Sequence, residues 1–438
     1  MIKQKSYKVK QTILPFILEA TEDTITARAG LVLFGEFLEG LRLREIADKY
    51  LPLPGSGRGY KPKEFILPLV LMLNGGGRTI EDIREIRIDK GLRELLDIEE
   101  IPSSDAFYNW LRRMGERGGL KGLEELNKFY LHKELKKEKK IKNYTLDIDA
   151  TAISAQKKEA EMSYKGFKGY MPMVGHLAEN GLVVYAEFRQ GNIAPSSRNL
   201  EFIKQCERQM PKGKRIKYIR ADAASYQAEV FNYCEERGMR YAIGAHIDKA
   251  VKGAILSIKE DEWKPYGDRY IAETVHCMEK TKKAFRLIVV RSACQAKIFD
   301  EEEIDLKKKY KVVATNLDWA ADEVIEWYNA RGEYSENRIK ELKGGFSMER
   351  MPSSFFKANA IFFLIGCLAY NLFRIFQLNI LPTEYRKHQI KTIRWKLYNI
   401  AGKVVYHSKK FFLKVKNYIY STFKEIRFKI YMFCYDSS

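Results

Sequence analysis

Tyr144-Thr145-Leu146-Asp147-Ile148-Asp149-Ala150-Thr151 is the stretch on which the fold turns. Apolar and polar residues alternate through it with the two-residue period of a strand. Downstream, residues 174–178 and 182–188 flank the turn Glu179-Asn180-Gly181, a hairpin signal, so three strands follow one another. Ser196-Ser197 reads as the cap of a helix running to about residue 210. Residues 216–222 then form a strand, 226–237 a helix and 240–244 a further strand. The order βββαβαβ predicts an α/β core built on a mixed sheet.

Working outward, residues 1–138 read as a helical N-terminal DNA-binding domain. Apolar positions recur at helical spacing in 31–41 and 65–73, and Pro52, Pro54, Gly55, Gly57 and Gly59 break the units apart. Pro102-Ser103-Ser104-Asp105 carries N-cap chemistry before Phe107, Trp110, Leu111, Arg112 and Arg113, which fits either a DNA-reading helix or a capped helix of a bundle. The core's first part is expected over 139–245, a β-rich insertion over 246–318, the core's last part over 319–380 and a basic C-terminal region over 381–438. The last 56 residues hold 13 Lys or Arg against 3 acids, interleaved with aromatics. A basic face over an apolar one suits contact with a nucleic-acid backbone. Residues 355–380 form the one long apolar stretch, but Lys357, Asn359, Asn371 and Arg374 interrupt it, so a buried helix is expected and no membrane partner.

Composition narrows the function. A hydrophobic content of 45% excludes a largely disordered chain, and a formal charge of +20 points to a polyanionic partner, with nucleic acid first. The N-terminus shows charge without a following apolar run, so a cytoplasmic protein is expected. Cys206, Cys234, Cys277, Cys294, Cys367 and Cys434 lie far apart and read as reduced structural thiols.

Two carboxylates end the first strand, Asp147 and Asp149, and Asp222 ends a later one. Strand ends gather at one edge of an α/β sheet, where ligands bind, and acids converging there suit Mg²⁺. A fourth acid, Glu336, opens a helix with Lys340 and Lys343 on the same face. Paired metals about 3.5–4 Å apart would serve phosphodiester chemistry there. Gly55–Tyr60 matches no dinucleotide fingerprint and reads as loop. His176, His246 and His276 stand singly and default to core or surface, with His246 near Asp248 at the site's border as the other reading. Trp263 and Trp319 are read first as packing residues, with stacking on an extruded base as the alternative.

These segments, with Tyr328-Asn329-Ala330-Arg331-Gly332-Glu333-Tyr334-Ser335-Glu336-Asn337-Arg338-Ile339-Lys340-Glu341-Leu342-Lys343, resemble the DDE transposases of bacterial insertion sequences. More narrowly they resemble the group with a β-strand insertion between the second Asp and the Glu. The likeness spans roughly residues 142–373, including 166–172, Phe356, Ala358 and Asn359, and 369–372. It implies an RNase H-like catalytic core interrupted by the insertion, with Asp149, Asp222 and Glu336 as the metal-binding triad and Asp147 as the alternative first acid. The family's Tyr-x-x-Arg…Glu…Lys signature falls on Tyr328, Arg331, Glu336 and Lys343. Four residues rather than the family's three separate Arg331 from Glu336, so either Gly332 bends the chain or Arg331 leaves its family role. The implied cofactor is Mg²⁺ in a two-metal site, with Mn²⁺ able to substitute. The implied partners are double-stranded DNA, both the element's terminal inverted repeats and the target, and a second copy of the chain as a homodimer in the synaptic complex, at the nucleoid of the bacterial cytoplasm. Two rival readings stand beside this one. A haloacid-dehalogenase-type phosphatase would use Asp147 as nucleophile and Asp149 as general acid, and a catalytically silent descendant would bind DNA only.

Overall fold

The computed structural model describes residue 14 and residues 16–292, 310–332 and 336–435. Its centre is a nine-stranded mixed sheet whose strands, in chain order, are β1 (Asn143–Ala150), β2 (Met173–Leu177), β3 (Val183–Glu187), β4 (Arg215–Ala221), β5 (Arg240–Gly244), β6 (Lys264–Tyr266), β7 (Arg269–His276), β8 (Phe285–Ser292) and β9 (Tyr310–Thr315). Their spatial order is β6-β7-β8-β9-β5-β4-β1-β2-β3. Only β1 with β4 and β4 with β5 run parallel, and all other pairs are antiparallel. The parallel steps use the helices Asn199–Arg208 and Ala228–Arg237 as connections, as parallel pairing requires. The strands read in residues 246–318 do not stand apart from this sheet. They extend it, because β9 pairs antiparallel with β5.

Alternation along the strands builds two cores. Ala242, Ile288, Val290 and Val313 face the helix Ala321–Arg331 on one side, while their neighbours Ile243, Leu287, Val289, Val312 and Ala314 face the larger core on the other. That larger core includes the long helix Phe356–Asn379, which is long and apolar enough to cross a membrane yet is largely buried inside the protein. The helices Lys63–Gly75, Ser104–Glu116 and Gly119–Lys137 pack on it, and the C-terminal helix Asn417–Tyr435 lies on Ala29–Gly40. In Ser104–Glu116 the Ser103 hydroxyl accepts from Ala106 N–H at 3.3 Å, and Phe107, Trp110, Leu111 and Met114 are buried. Arg112, on the other side of the helix, is exposed.

Two local expectations change. The helix at 199 starts from Arg198 in the left-handed region, so Ser196 and Ser197 do not cap it. Between β1 and β2 the chain also folds a small three-stranded sheet, Ile153–Ser154, Glu161–Met162 and Lys168–Tyr170. Its strands of two or three residues are too short to show a period. Among the described residues Cys206, Cys234, Cys277, Cys367 and Cys434 are all free, and Cys294 lies outside them.

Candidate active site

The site is built at the edge where β1 and β4 end together. Their parallel register sets Asp147 beside Arg220 and Ile148 beside Ala221, which carries Asp149 and Asp222 to the same edge. Asp147 and Asp149 share a face of β1, yet their surroundings are opposite. The Asp147 side chain is 0% exposed and is held by Arg220 through two hydrogen bonds, Nε to Oδ1 at 2.7 Å and Nη2 to Oδ2 at 2.8 Å. The same guanidinium donates from Nη1 to Trp327 O at 2.6 Å and lies 5.0 Å from the centre of the Trp327 ring. Arg220 thus ties two strands to the helix Ala321–Arg331. Asp147, the alternative first acid, is sealed in the sheet with both of its oxygens engaged by Arg220.

Asp149, two residues on, keeps 22% of its side chain exposed and meets Arg331 Nη1 at 3.7 Å from Oδ2. Burial pushes its carboxyl up to about 6. Arg331 pulls it down, while Asp222 and Glu336 push it further up as like charges. Three carboxylates distant in sequence thereby act on one another. Asp222 accepts from Ala224 N–H at 3.1 Å and caps a short turn that Asn199 braces through Ala224 O and Ser225 Oγ, both at 3.0 Å.

The helix Ala321–Arg331 delivers Tyr328 and Arg331. Tyr328 is mostly buried and is a hydrogen-bond partner of Arg331; burial raises its pKa first, with Arg331 opposing and Asp222 and Asp149 adding. Gly244, closing β5, makes the space for it, since a Cβ there would stand 2.8 Å from the Tyr328 hydroxyl and 3.2 Å from Ala223 N. Burial works against the charge of Arg331, and Tyr328, Asp149, Asp222 and Asp147 together more than restore it, leaving its pKa raised. Its buried Nη1 makes no hydrogen bond among the described residues.

Residues 333–335 lie outside the described residues, but both flanks are informative. Gly332 has φ −59° and ψ −44°, and Glu336 φ −62° and ψ −40°, all helical. Gly332 and Glu336 each carry π-type helical geometry. Gly332 therefore does not bend the chain, and the longer spacing still leaves Arg331 beside Asp149. Glu336 is half exposed, with Lys340 Nζ 3.7 Å from Oε2. Arg338 anchors this segment to the end of β2, donating to Leu177 O and Ala178 O at 2.8 Å each. Lys343 does not join Lys340 on a continuous face, because a second π-type turn, Glu341–Gly345, intervenes. Its Nζ donates instead to Ala152 O at 2.7 Å, just beyond β1. Burial lowers the Lys343 pKa, with Glu349 opposing and Lys165 adding.

Among the described residues no group of three or more His, Cys, Asp or Glu is drawn close enough to hold a metal ion. The remaining candidates stand apart. His176 is buried between Asp147 and the arginines, and desolvation puts its pKa well below the ordinary value. His246 is exposed against Tyr226, and Asp248 caps the helix Lys249–Leu256. His276 packs on Phe285, Trp263 under Arg291, and Trp319 against Trp327 and Tyr218.

A family model described as "Transposase DDE domain group 1" matches residues 16–426. The chain belongs to this family. It is a DDE transposase, an enzyme of DNA cleavage and strand transfer, in a family whose members generally work with divalent metal ions. Among solved structures, the cryo-EM structure of the piggyBac transposase synaptic complex with hairpin DNA matches at 10% identity and a TM-score of 0.48, over 86% of this chain and 82% of that chain. No curated protein matches the transposase sequence.

The residue that sequence reasoning missed is Arg220. Its signal was present: an arginine inside the apolar strand Ile219-Arg220-Ala221, where a buried cation demands a partner.

Proposed function

We propose that this transposase carries an RNase H-like core, formed by β1 to β5, with an insertion that widens the sheet, and that Asp149, Asp222 and Glu336 are its catalytic carboxylates. What supports this is the raised Asp149 carboxyl, pressed by Asp222 and Glu336 from separate segments. The donor set fits a divalent cation: three hard carboxylates, one of them held in an unfavourable charged state that a cation would relieve. Mg²⁺, or Mn²⁺ in its place, held by these three as a two-metal site would supply activation of the attacking oxygen and stabilisation of the leaving one.

The chain's own groups do the rest. Arg331 offers its Nη1, which makes no hydrogen bond among the described residues, to a phosphate oxygen beside Asp149. Tyr328 holds Arg331 in place, and Lys343, pinned at Ala152 just beyond the end of β1, supports the phosphodiester. In cleavage, water attacks phosphorus, the bond from phosphorus to the 3′ oxygen breaks, and a 3′ hydroxyl is freed at the end of the element. In joining, that hydroxyl attacks a target phosphodiester and the target's 3′ oxygen leaves, so bonds are exchanged one for one and no nucleotide cofactor is consumed. The substrates are the terminal inverted repeats of a bacterial insertion sequence and duplex target DNA in the cytoplasm, and pairing two ends calls for a homodimer. The phosphatase reading needs Asp147 free to attack, and Arg220 occupies both of its oxygens.

The test is incubation with Mg²⁺ and DNA bearing the element's flanking repeats, comparing the wild type with Asp149→Asn, Asp222→Asn and Glu336→Gln. Each substitution is expected to abolish cleavage and leave DNA binding intact. Cleavage surviving in any of the three would overturn the assignment of that acid.

A further inference from the structure

The strands Gly402–His407 and Lys410–Lys414 form a hairpin that joins the short strand Ile25–Thr26 on one side and leaves Lys410–Lys414 as an open edge. Residues 402–416 contain Lys403, Lys409, Lys410, Lys414, Lys416 and His407, and no acid. Cross-strand register sorts them by face. Val404 with Leu413 and Tyr406 with Phe411 share one side, and Lys403 with Lys414, Val405 with Phe412 and His407 with Lys410 share the other. The first side is anchored at its base, where Val404 is buried over Gly91. The second is a basic platform.

Three observations point to what that platform meets. Lys403 and Lys414 stand directly opposite, which concentrates positive charge on that face. Lys403 has Asp23 at 2.9 Å, whereas Lys409, Lys410 and Lys414 form no ion pair among the described residues. The His407 and Phe412 rings lie stacked, 4.1 Å apart and 3° from parallel, in a tip where residues 406–412 are all exposed. The turn itself places Ser408 at φ 51° and Lys409 at φ 60°. A two-residue hairpin turn with both positions left-handed favours Asn-Gly, and here a lysine occupies the second position, at the outermost point of the hairpin.

We propose that this hairpin is a duplex-DNA contact, its lysines on phosphates and its tip in the major groove, which is wide enough to admit a two-stranded ribbon. The inference rests on the DNA-handling reading above and adds the element and the face that carry it. Replacing Lys409, Lys410 and Lys414 together by Gln in the full chain is expected to lower the slope of log affinity against log salt by about 0.9 per lysine, about 2.7 in all. The corresponding Arg triple variant should restore it. Chemical acetylation of the wild type should be blocked at Lys409 and Lys410 by a bound duplex.

A slope unchanged by the Gln variant, in a protein whose melting matches the wild type, would overturn the proposal, and so would full acetylation of both lysines in the complex. Loss of binding that Arg fails to restore would place the effect outside phosphate contact and count against it equally. The DNA-handling reading fails separately, if the wild type itself neither nicks end DNA nor binds it in a salt-dependent way.

Discussion

Asp147 and Asp149 lie two residues apart on one face of one strand, and the protein treats them in opposite ways. The first is sealed in the sheet with its charge met by Arg220 in a two-pronged pair. The second stands at the strand's end, where Arg331 is offset by Asp222 and Glu336 and the carboxyl is pushed up to about 6. A buried pair that is fully hydrogen-bonded fixes a geometry, while an excess of like charge at an open edge creates a demand for a cation. The lesson is that neighbouring acids of one strand are separated in role by what the next strand and the next helix bring to them.

The sharpest way to break the comparison is at the open edge. Asp149→Asn, Asp222→Asn or Glu336→Gln should each lower the cleavage rate by at least about 1,000-fold, because residues acting as a unit fail together. Gel-based cleavage assays read this directly, and a drop of only a few-fold would erase the distinction between the two acids. At the sealed pair, Arg220→Met alone should cost about 3–5 kcal/mol by leaving Asp147 buried and unpaired, whereas Asp147→Leu with Arg220→Met should recover much of that loss. Denaturant titration of the single and double variants supplies the measurement.

The third test concerns stability and pH. A carboxyl whose folded pKa is raised from near 3.8 to about 6 favours the folded state fully only below its unfolded pKa, and that contribution is lost as pH rises through 6. Asp149→Asn should therefore stabilise the metal-free protein at pH 8 by up to about 3 kcal/mol, with the gain shrinking toward pH 4. A melting curve in chelator that shows no such pH trend would contradict the electrostatic account of the edge. Smallest of all, Gly244→Ala should cost about 1–3 kcal/mol through the contact it forces on the Tyr328 hydroxyl, and should weaken cleavage more than DNA binding.

Much of this was legible in the sequence. The strands at 144–149 and 240–244, the hairpin at Asn180-Gly181 and the buried helix near 356–379 all follow from short-range period and turn chemistry. Asp149, Asp222 and Glu336 were singled out because strand ends and a helix start mark edge positions and because the resemblance to DDE transposases sets the first acid in Asp-x-Thr, here Asp149-Ala150-Thr151. Asp149 was preferred to Asp147 on that resemblance alone, because both lie on the same face; the pairing of Asp147 with Arg220, 73 residues beyond it, leaves no mark in the sequence. The surroundings of Arg331 were equally hidden, because its neighbour Asp149 comes from a strand far away in the sequence.

The order of amino acids by itself determined which segments became strands and helices and how much positive charge the surface carries, since both depend on neighbours within a few positions. Only the tertiary structure decided which carboxylate is met by a buried arginine and which is crowded by like charge at the edge. It also decided that the strands between residues 264 and 315 continue the main sheet and that the lysines near the C-terminus gather on one side of a hairpin. Burial, charge pairing and strand register depend on groups brought together across tens to hundreds of residues, and no local pattern records them.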